Sequence, residues 1–176
     1  MSIRRFLAGT MLTALTIATA TAQQPNTAPD TQGTGKFPAL KETAASLPDH
    51  VIYRPANLGA LGKTKLGLYV FGNGGCSDDG ASARMHLLEI ASHGYLAIAP
   101  ELFVRQGDAG SYGEIAKLIS EVIAKTPDAQ VMGDLDATVA WAKSQGADTS
   151  RLGITGFCWG GRTTLMYAAH NPAVKA

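Results

Sequence analysis

Cysteine is scarce in this chain of 176 residues, which contains two, Cys76 and Cys158. Two thiols exclude a disulfide-rich scaffold and a zinc site with four thiolate ligands. Positive charge is not in excess either, since 15 Lys and Arg face 14 Asp and Glu. A nucleic-acid-binding protein needs a basic stripe or tail, so we expect no nucleic-acid partner. No residue spacing indicates a metal site, and no motif indicates another cofactor.

The chain also has no hydrophobic run long enough to span a membrane. Its longest uncharged apolar stretch, residues 6–18, is shorter than the ~20 residues that a spanning helix needs. Arg4 and Arg5 precede it, and small residues at 18–22 fit a cleavage site. The pattern predicts a signal peptide over residues 1–22 and a periplasmic or secreted protein without a stable membrane anchor. A twin-arginine export signal remains an alternative.

Residues 23–36 are rich in Pro, Thr, Gln and Gly without periodicity, which predicts a flexible linker. Residues 37–176 then alternate apolar runs with helical patterns, and 45% of all residues are apolar, enough for a core. This alternation predicts one α/β domain with a mainly parallel sheet and helices on both faces. The predicted strands cover 51–54, 66–71, 95–99 and 152–155, with a strand beginning at 174–176. The predicted helices cover 81–92, 114–125, 129–144 and 160–170.

The strongest chemical signal is the motif Gly156-Phe157-Cys158-Trp159-Gly160. It places a cysteine between a buried strand and a helix, with a glycine two residues away on each side. This is the spacing of a nucleophile elbow with Cys in the place of Ser, where side chains at the glycine positions would collide with neighbouring backbone. We therefore predict that Cys158 is a nucleophile at a helix N-terminus, which favours negative charge, and that the Trp159 N–H binds an oxyanion.

Two other interpretations of this turn are weaker. A cysteine that only packs in the core would not need this arrangement of strand, glycines and helix. The glycines at 156 and 160 also imitate the start of a dinucleotide-binding loop. However, Arg162 stands where that loop needs its next glycine, and no further βαβ unit follows.

Three segments occur in order along the chain: PELFVRQGD at 100–108, DLDATVAWA at 134–142 and GFCWGGR at 156–162. With them, about residues 94–176 resemble the dienelactone hydrolase family, a branch of the α/β-hydrolase fold. The resemblance implies an α/β-hydrolase-like fold and a hydrolase acting on carboxylic esters or lactones, which are small-molecule substrates. It implies that Cys158 attacks the carbonyl and that Arg105 binds a substrate carboxylate, a role that suits a guanidinium. The alternative for Arg105 is a solvated loop residue.

The chain departs from the family pattern in the loop GNGGCSDD at 72–79. This loop lacks the Glu that pairs with the resting nucleophile in the family. Its glycines instead predict an oxyanion loop, in which the backbone N–H of Asn73 or Gly74 donates.

A second departure concerns the acid and the histidine, which follow the nucleophile in this fold. The 18 residues after Cys158 contain no acid and one histidine, His170, twelve positions away. That distance along a helix is roughly 18 Å, so His170 is not expected to reach the sulfur. The other histidines, His50, His86 and His93, are expected to be structural.

We expect the chain to correspond to the N-terminal portion of a hydrolase domain, with the C-terminal strands and the catalytic Asp and His missing. The strand at 152–155 would then have an open apolar edge, which invites pairing with another chain. The leading hypothesis is a hydrolase that is acylated at Cys158 without efficient turnover. The alternatives are a non-catalytic association module that self-associates through this edge, and a redox pair of Cys76 and Cys158.

Overall fold

The computed structural model describes residues 30–74 and 83–176. The predicted signal peptide and Cys76 lie outside these ranges. The strands of the described part are Ala39–Ala44 (β1), Leu47–Pro55 (β2), Gly67–Gly72 (β3), Tyr95–Pro100 (β4) and Asp148–Gly156 (β5). Its α-helices are Arg84–Ser92 (α1), Ile115–Glu121 (α2), Asp128–Ser144 (α3) and Trp159–His170 (α4). None of the helices in these two ranges is long and apolar enough to cross a membrane.

The strands form one sheet in the order β1-β2-β4-β3-β5. β3 pairs in parallel with both β4 and β5, whereas β2 pairs antiparallel with β1 and with β4. The sheet is therefore mixed, where the sequence predicted a mainly parallel one. The difference comes from the β1–β2 hairpin, whose first strand has the sequence ALKETA and a single buried residue, Ala39. Such a half-exposed edge strand has no apolar run by which the sequence could reveal it.

Helices cover both faces of the sheet, as the sequence predicted. The apolar run of β4 is buried on both sides, with Leu96 and Ile98 facing one core and Ala97 and Ala99 the other. On the first face α3 and α4 pack through Leu135, Ala142 and Tyr167. On the second face α1 packs through Leu87, Leu88 and Ala91.

The helix predicted over 114–125 is interrupted in the structure. α2 ends at Glu121, Val122 follows with φ −117° and ψ −64°, and a single 3₁₀ turn covers Ile123–Lys125. Leu118 and Val122 are buried in a small separate core that also contains Phe103. Leu118 and Val122 belong to the apolar stripe that predicted the helix, so this stripe is buried as expected although the helix is interrupted within it.

The last residues of the predicted linker 23–36 contact helix α1. The backbone N–H and hydroxyl of Thr34 donate to the Glu89 carboxylate at 2.8 and 2.6 Å. The N–H of Gly35 donates to the Ser92 hydroxyl at 2.9 Å. This part of the segment is therefore held against the domain by hydrogen bonds.

The strand predicted to begin at 174–176 lies along the outer edge of β5. The N–H of Lys175 donates to the Leu152 carbonyl, and the N–H of Ile154 donates to the Ala176 carbonyl, both at 2.8 Å. These bonds cover the middle of the edge that the sequence predicted to be open.

Candidate active site

The three segments predicted to form the site meet at one edge of the sheet. Because β3, β4 and β5 are parallel neighbours, their carboxyl ends, Gly72, Pro100 and Gly156, lie at the same edge. The candidate oxyanion loop follows β3, the loop carrying Arg105 follows β4, and the elbow follows β5. Ligand sites of open α/β sheets form at this edge.

The backbone of the elbow is strained at Cys158. Cys158 is exposed and precedes α4 with φ 55° and ψ −118°, a conformation that costs a non-glycine residue about 1–3 kcal/mol. The surrounding backbone imposes it. A Cβ at Gly156 would lie 2.5 Å from the Gly160 carbonyl, and a Cβ at Gly160 would lie 2.1 Å from the Gly72 oxygen. The collision predicted for both glycines is therefore confirmed.

A backbone N–H group beside Cys158 is free to donate a hydrogen bond to an oxyanion. The N–H groups of the two residues after Trp159 donate to the carbonyls of Phe157 and Cys158, but the Trp159 N–H has no acceptor among the described residues. Gly74 lies against the elbow, since a Cβ there would be 3.4 Å from the Phe157 oxygen and 3.8 Å from the Cys158 Cβ. The candidate oxyanion loop and the elbow are thus adjacent.

Asn73 is completely buried at the end of β3. Its Nδ2 donates to the Pro100 carbonyl at 3.3 Å and so ties the oxyanion loop to the end of β4. Because the side-chain amide already donates within the fold, the backbone N–H is the group of Asn73 that would bind an oxyanion.

The loop after β4 packs against the elbow through aromatic rings. The centroids of the Phe103 and Trp159 rings are 4.5 Å apart, so the segment two residues before Arg105 touches the residue after Cys158. Arg105 itself is half-exposed and pairs with Asp134 of α3. Hydrogen bonds to that carboxylate raise the pKa of Arg105 above its usual value. The sequence did not indicate this partner, although Asp134 begins the second of the three family-like segments.

A second ion pair, between Arg162 and Asp128, links the start of α4 to the start of α3. Arg162 donates two hydrogen bonds to the Asp128 carboxylate, at 2.8 and 2.7 Å. These bonds lower the pKa of Asp128. Asp128 also occupies the first turn of α3, where a negative charge is favourable. The pair holds the elbow helix, and sequence reasoning missed it.

The four histidines hydrogen-bond to residues other than Cys158. The partners are Thr138 for His50, Tyr69 for His86, Glu89 for His93 and Asp136 for His170. His50 also lies 2.7 Å from the Pro48 carbonyl, and burial lowers its pKa below 6.5 despite that contact. These contacts agree with the structural roles that the sequence led us to expect.

No metal-ligating cluster of three or more His, Cys, Asp or Glu residues occurs within 30–74 and 83–176. A cavity of about 690 Å³ lies beside the loop after β4, lined by His50 and Val104 among others. Neither Cys158 nor Arg105 is among the described residues that line this cavity.

The glycine contacts predict a sharp contrast between two Gly→Ala substitutions. Gly160→Ala should destabilise the fold by more than about 3 kcal/mol, because its Cβ meets backbone that cannot move aside. Gly133→Ala, in α3, has no atom within 4 Å of the new Cβ and should be neutral or stabilising by about 0.5–1 kcal/mol. Urea denaturation of both variants measures the difference. Equal stabilities would contradict the close approach of Gly160 to Gly72.

The lowered pKa of His50 predicts a pH-dependent stability. As pH falls through 6.5, the unfolded chain takes up the proton before the folded chain does, so the free energy of unfolding decreases. The stability is full above pH ~7.5 and is lost as pH falls toward the folded pKa. His50→Gln should flatten this part of the profile when unfolding is measured at pH ~5 to ~7.5. Parallel profiles for the two proteins would contradict the expectation.

Known proteins share this architecture. The chain superimposes on the crystal structure of a Klebsiella pneumoniae protein named as a dienelactone hydrolase with a TM-score of 0.66 and 40% identity. The match covers 78% of this chain and 56% of that one. A ferulic acid esterase from Streptomyces cinnamoneus, 14% identical with a TM-score of 0.52, shares the fold over 77% of this chain and 55% of its own. The α/β-hydrolase-like fold expected from the sequence is thus confirmed.

Sequence relatives agree with the structural neighbours. A Methylorubrum extorquens protein that bears the name carboxymethylenebutenolidase is 66% identical over 88 residues, which are 49% of this chain and 30% of that protein. A Yersinia pestis protein of the same name is 58% identical over 87 residues, 49% of this chain and 33% of its own. The match thus spans about a third of these relatives. A sequence model described as the dienelactone hydrolase family matches residues 80–176, more than half of the 176 residues, and the chain belongs to this family.

Proposed function

We propose that this protein cleaves carboxylic esters or lactones with Cys158 as its nucleophile. The observation that carries the proposal is the elbow, where Cys158 is exposed and has a φ of 55°. The close packing of backbone at Gly156 and Gly160 holds it in this conformation. Strain of this kind at a nucleophilic side chain is typical of active sites. The chain's membership of the dienelactone hydrolase family supports the same reaction class.

The first chemical step would form a thioester. The Cys158 thiolate attacks the carbonyl carbon, a C–S bond forms, and the carbonyl oxygen becomes an oxyanion. The Trp159 N–H and a backbone N–H of Asn73 or Gly74 would donate to that oxyanion, since both segments flank Cys158. When the oxyanion collapses, the C–O bond breaks and its oxygen keeps the electron pair, so an alkoxide or phenolate leaves and takes up a proton from water. In a lactone the same step opens the ring, and this oxygen stays attached to the acyl group.

Arg105 would hold a carboxylate of the substrate. Its loop is packed on the elbow through the Phe103–Trp159 contact, and a guanidinium binds carboxylates through two parallel hydrogen bonds. The name carboxymethylenebutenolidase, borne by relatives of this chain, describes a lactone that carries such a carboxylate. A small, carboxylate-bearing ester or lactone is therefore the proposed substrate class.

Release of the acyl group requires an activated water molecule. Such activation is the task of a general base placed at the thioester, and none of the hydrogen bonds of the four histidines brings a ring nitrogen to Cys158. We therefore propose that this 176-residue chain is acylated much faster than it is deacylated.

Pre-steady-state kinetics with p-nitrophenyl acetate tests this proposal. The chain should release a burst of about one equivalent of p-nitrophenol and then nearly stop, because the thioester accumulates. Cys158→Ala should abolish the burst, since it removes the nucleophile. Stopped-flow absorbance measures the amplitude per mole of folded protein.

Cys76→Ala is the matched control, because it removes the chain's other thiol. It should keep the full burst. A burst that survives in Cys158→Ala would refute Cys158 as the nucleophile. Sustained turnover dependent on Cys158 would refute slow deacylation.

A further inference from the structure

Arg105 is already bound to a carboxylate within the chain. A single nitrogen, Nη2, contacts both carboxylate oxygens of Asp134, with the Oδ1 contact at 2.5 Å. No other hydrogen bond of the Arg105 guanidinium occurs among the described residues. The group proposed to bind the substrate is thus occupied before any substrate arrives.

The position of Asp134 on the guanidinium blocks two-point binding of a second carboxylate. A guanidinium offers a carboxylate two edges, one formed by Nε and Nη2 and the other by Nη1 and Nη2. Nη2 belongs to both edges. Since both Asp134 oxygens lie on Nη2, neither edge is free, and a substrate carboxylate bound through two hydrogen bonds must displace Asp134.

The Asp134 carboxylate is able to separate from Arg105. The side chains of Arg105 and Asp134 are 51% and 24% exposed, so water can solvate both groups when they separate, and ion pairs of this exposure are weak. The other hydrogen bond at this position uses the backbone, because the Asp134 carbonyl accepts from the Thr138 hydroxyl at 2.8 Å. A change confined to the carboxylate therefore leaves the helix contact in place.

We infer that Asp134 is an internal competitor for Arg105, and that it sets how strongly the site prefers carboxylate-bearing esters over neutral ones. This inference rests on the proposed function, in which Arg105 binds the substrate. Asp134 is a specificity-determining residue that acts through Arg105 and does not touch the reacting atoms. Its removal should improve the binding of anionic substrates alone.

Acylation rates with two esters test the inference. Mono-p-nitrophenyl succinate carries a free carboxylate, and p-nitrophenyl acetate carries none. Asp134→Asn should lower the half-saturating concentration of the succinate ester about fivefold, the size of effect expected when an exposed ion pair is removed. Its maximal acylation rate and the kinetics of the acetate ester should stay within about twofold of the unchanged chain.

The Arg105→Gln background separates competition from a structural effect. In the double variant Arg105→Gln/Asp134→Asn, Asp134→Asn should no longer improve binding of the succinate ester, because there is no arginine for which Asp134 could compete. A gain that persists without Arg105 would overturn the inference. So would an Asp134→Asn variant that changes both esters equally or weakens binding of the anionic one.

Glu42→Gln is the matched control. Glu42 also pairs through its carboxylate with an arginine, Arg54, at 2.7 Å and with similar exposure of 35% and 24%. The pair joins β1 to β2, apart from the elbow. The same change of charge there should leave the ratio of the two esters unaltered, and a shift equal to that of Asp134→Asn would contradict a specific role of Asp134.

An NMR titration with succinate tests the inference without relying on acylation of Cys158. If neither ester acylates Cys158, the proposed function has failed, and succinate binding then decides the inference alone. Asp134→Asn should bind succinate about fivefold more tightly than the unchanged chain, and only when Arg105 is present. Equal affinities would overturn the inference.

Discussion

The candidate site depends on the close approach of three stretches of backbone. A Cβ at Gly160 would lie 2.1 Å from the Gly72 oxygen, and one at Gly156 would lie 2.5 Å from the Gly160 carbonyl. The chain must therefore turn from β5 into α4 within a few residues. Cys158 takes its positive φ at the top of this turn and is exposed for that reason. The reactivity proposed for the Cys158 sulfur therefore depends on the close packing of backbone around Gly156 and Gly160.

The same arrangement brings the remaining parts of the site to the elbow. β3 lies between β4 and β5 in the sheet, so the loops that follow all three strands share one edge. The Phe103–Trp159 contact then joins the arginine-bearing loop to α4, while the Asp128–Arg162 pair joins α4 to α3. The functional groups follow directly after packed strands, and the contacts between their loops and the helices help the site to keep its geometry.

Sequence reasoning succeeded where local patterns decide the structure. The apolar run of β4 predicted a strand buried on both sides, and the glycine spacing around Cys158 predicted the tight turn. It failed where tertiary packing decides. β1 is half-exposed and its residues lack an apolar alternation, α2 stops where Val122 enters a small separate core, and Arg105 meets Asp134 from 29 positions away in the chain. No local periodicity encodes a contact of that separation.

Mapping the acylated residue in the folded chain distinguishes a reactive elbow cysteine from an ordinary exposed thiol. The protein is treated briefly with p-nitrophenyl acetate, quenched in acid, digested, and mapped by mass spectrometry, with urea-unfolded protein treated in parallel. If Cys158 is the nucleophile, the folded chain carries one acetyl group on the peptide containing Cys158 and little on that containing Cys76, and unfolding removes this selectivity. Equal labelling of the two thiols in the folded chain would contradict this role, because the elbow would then confer no special reactivity.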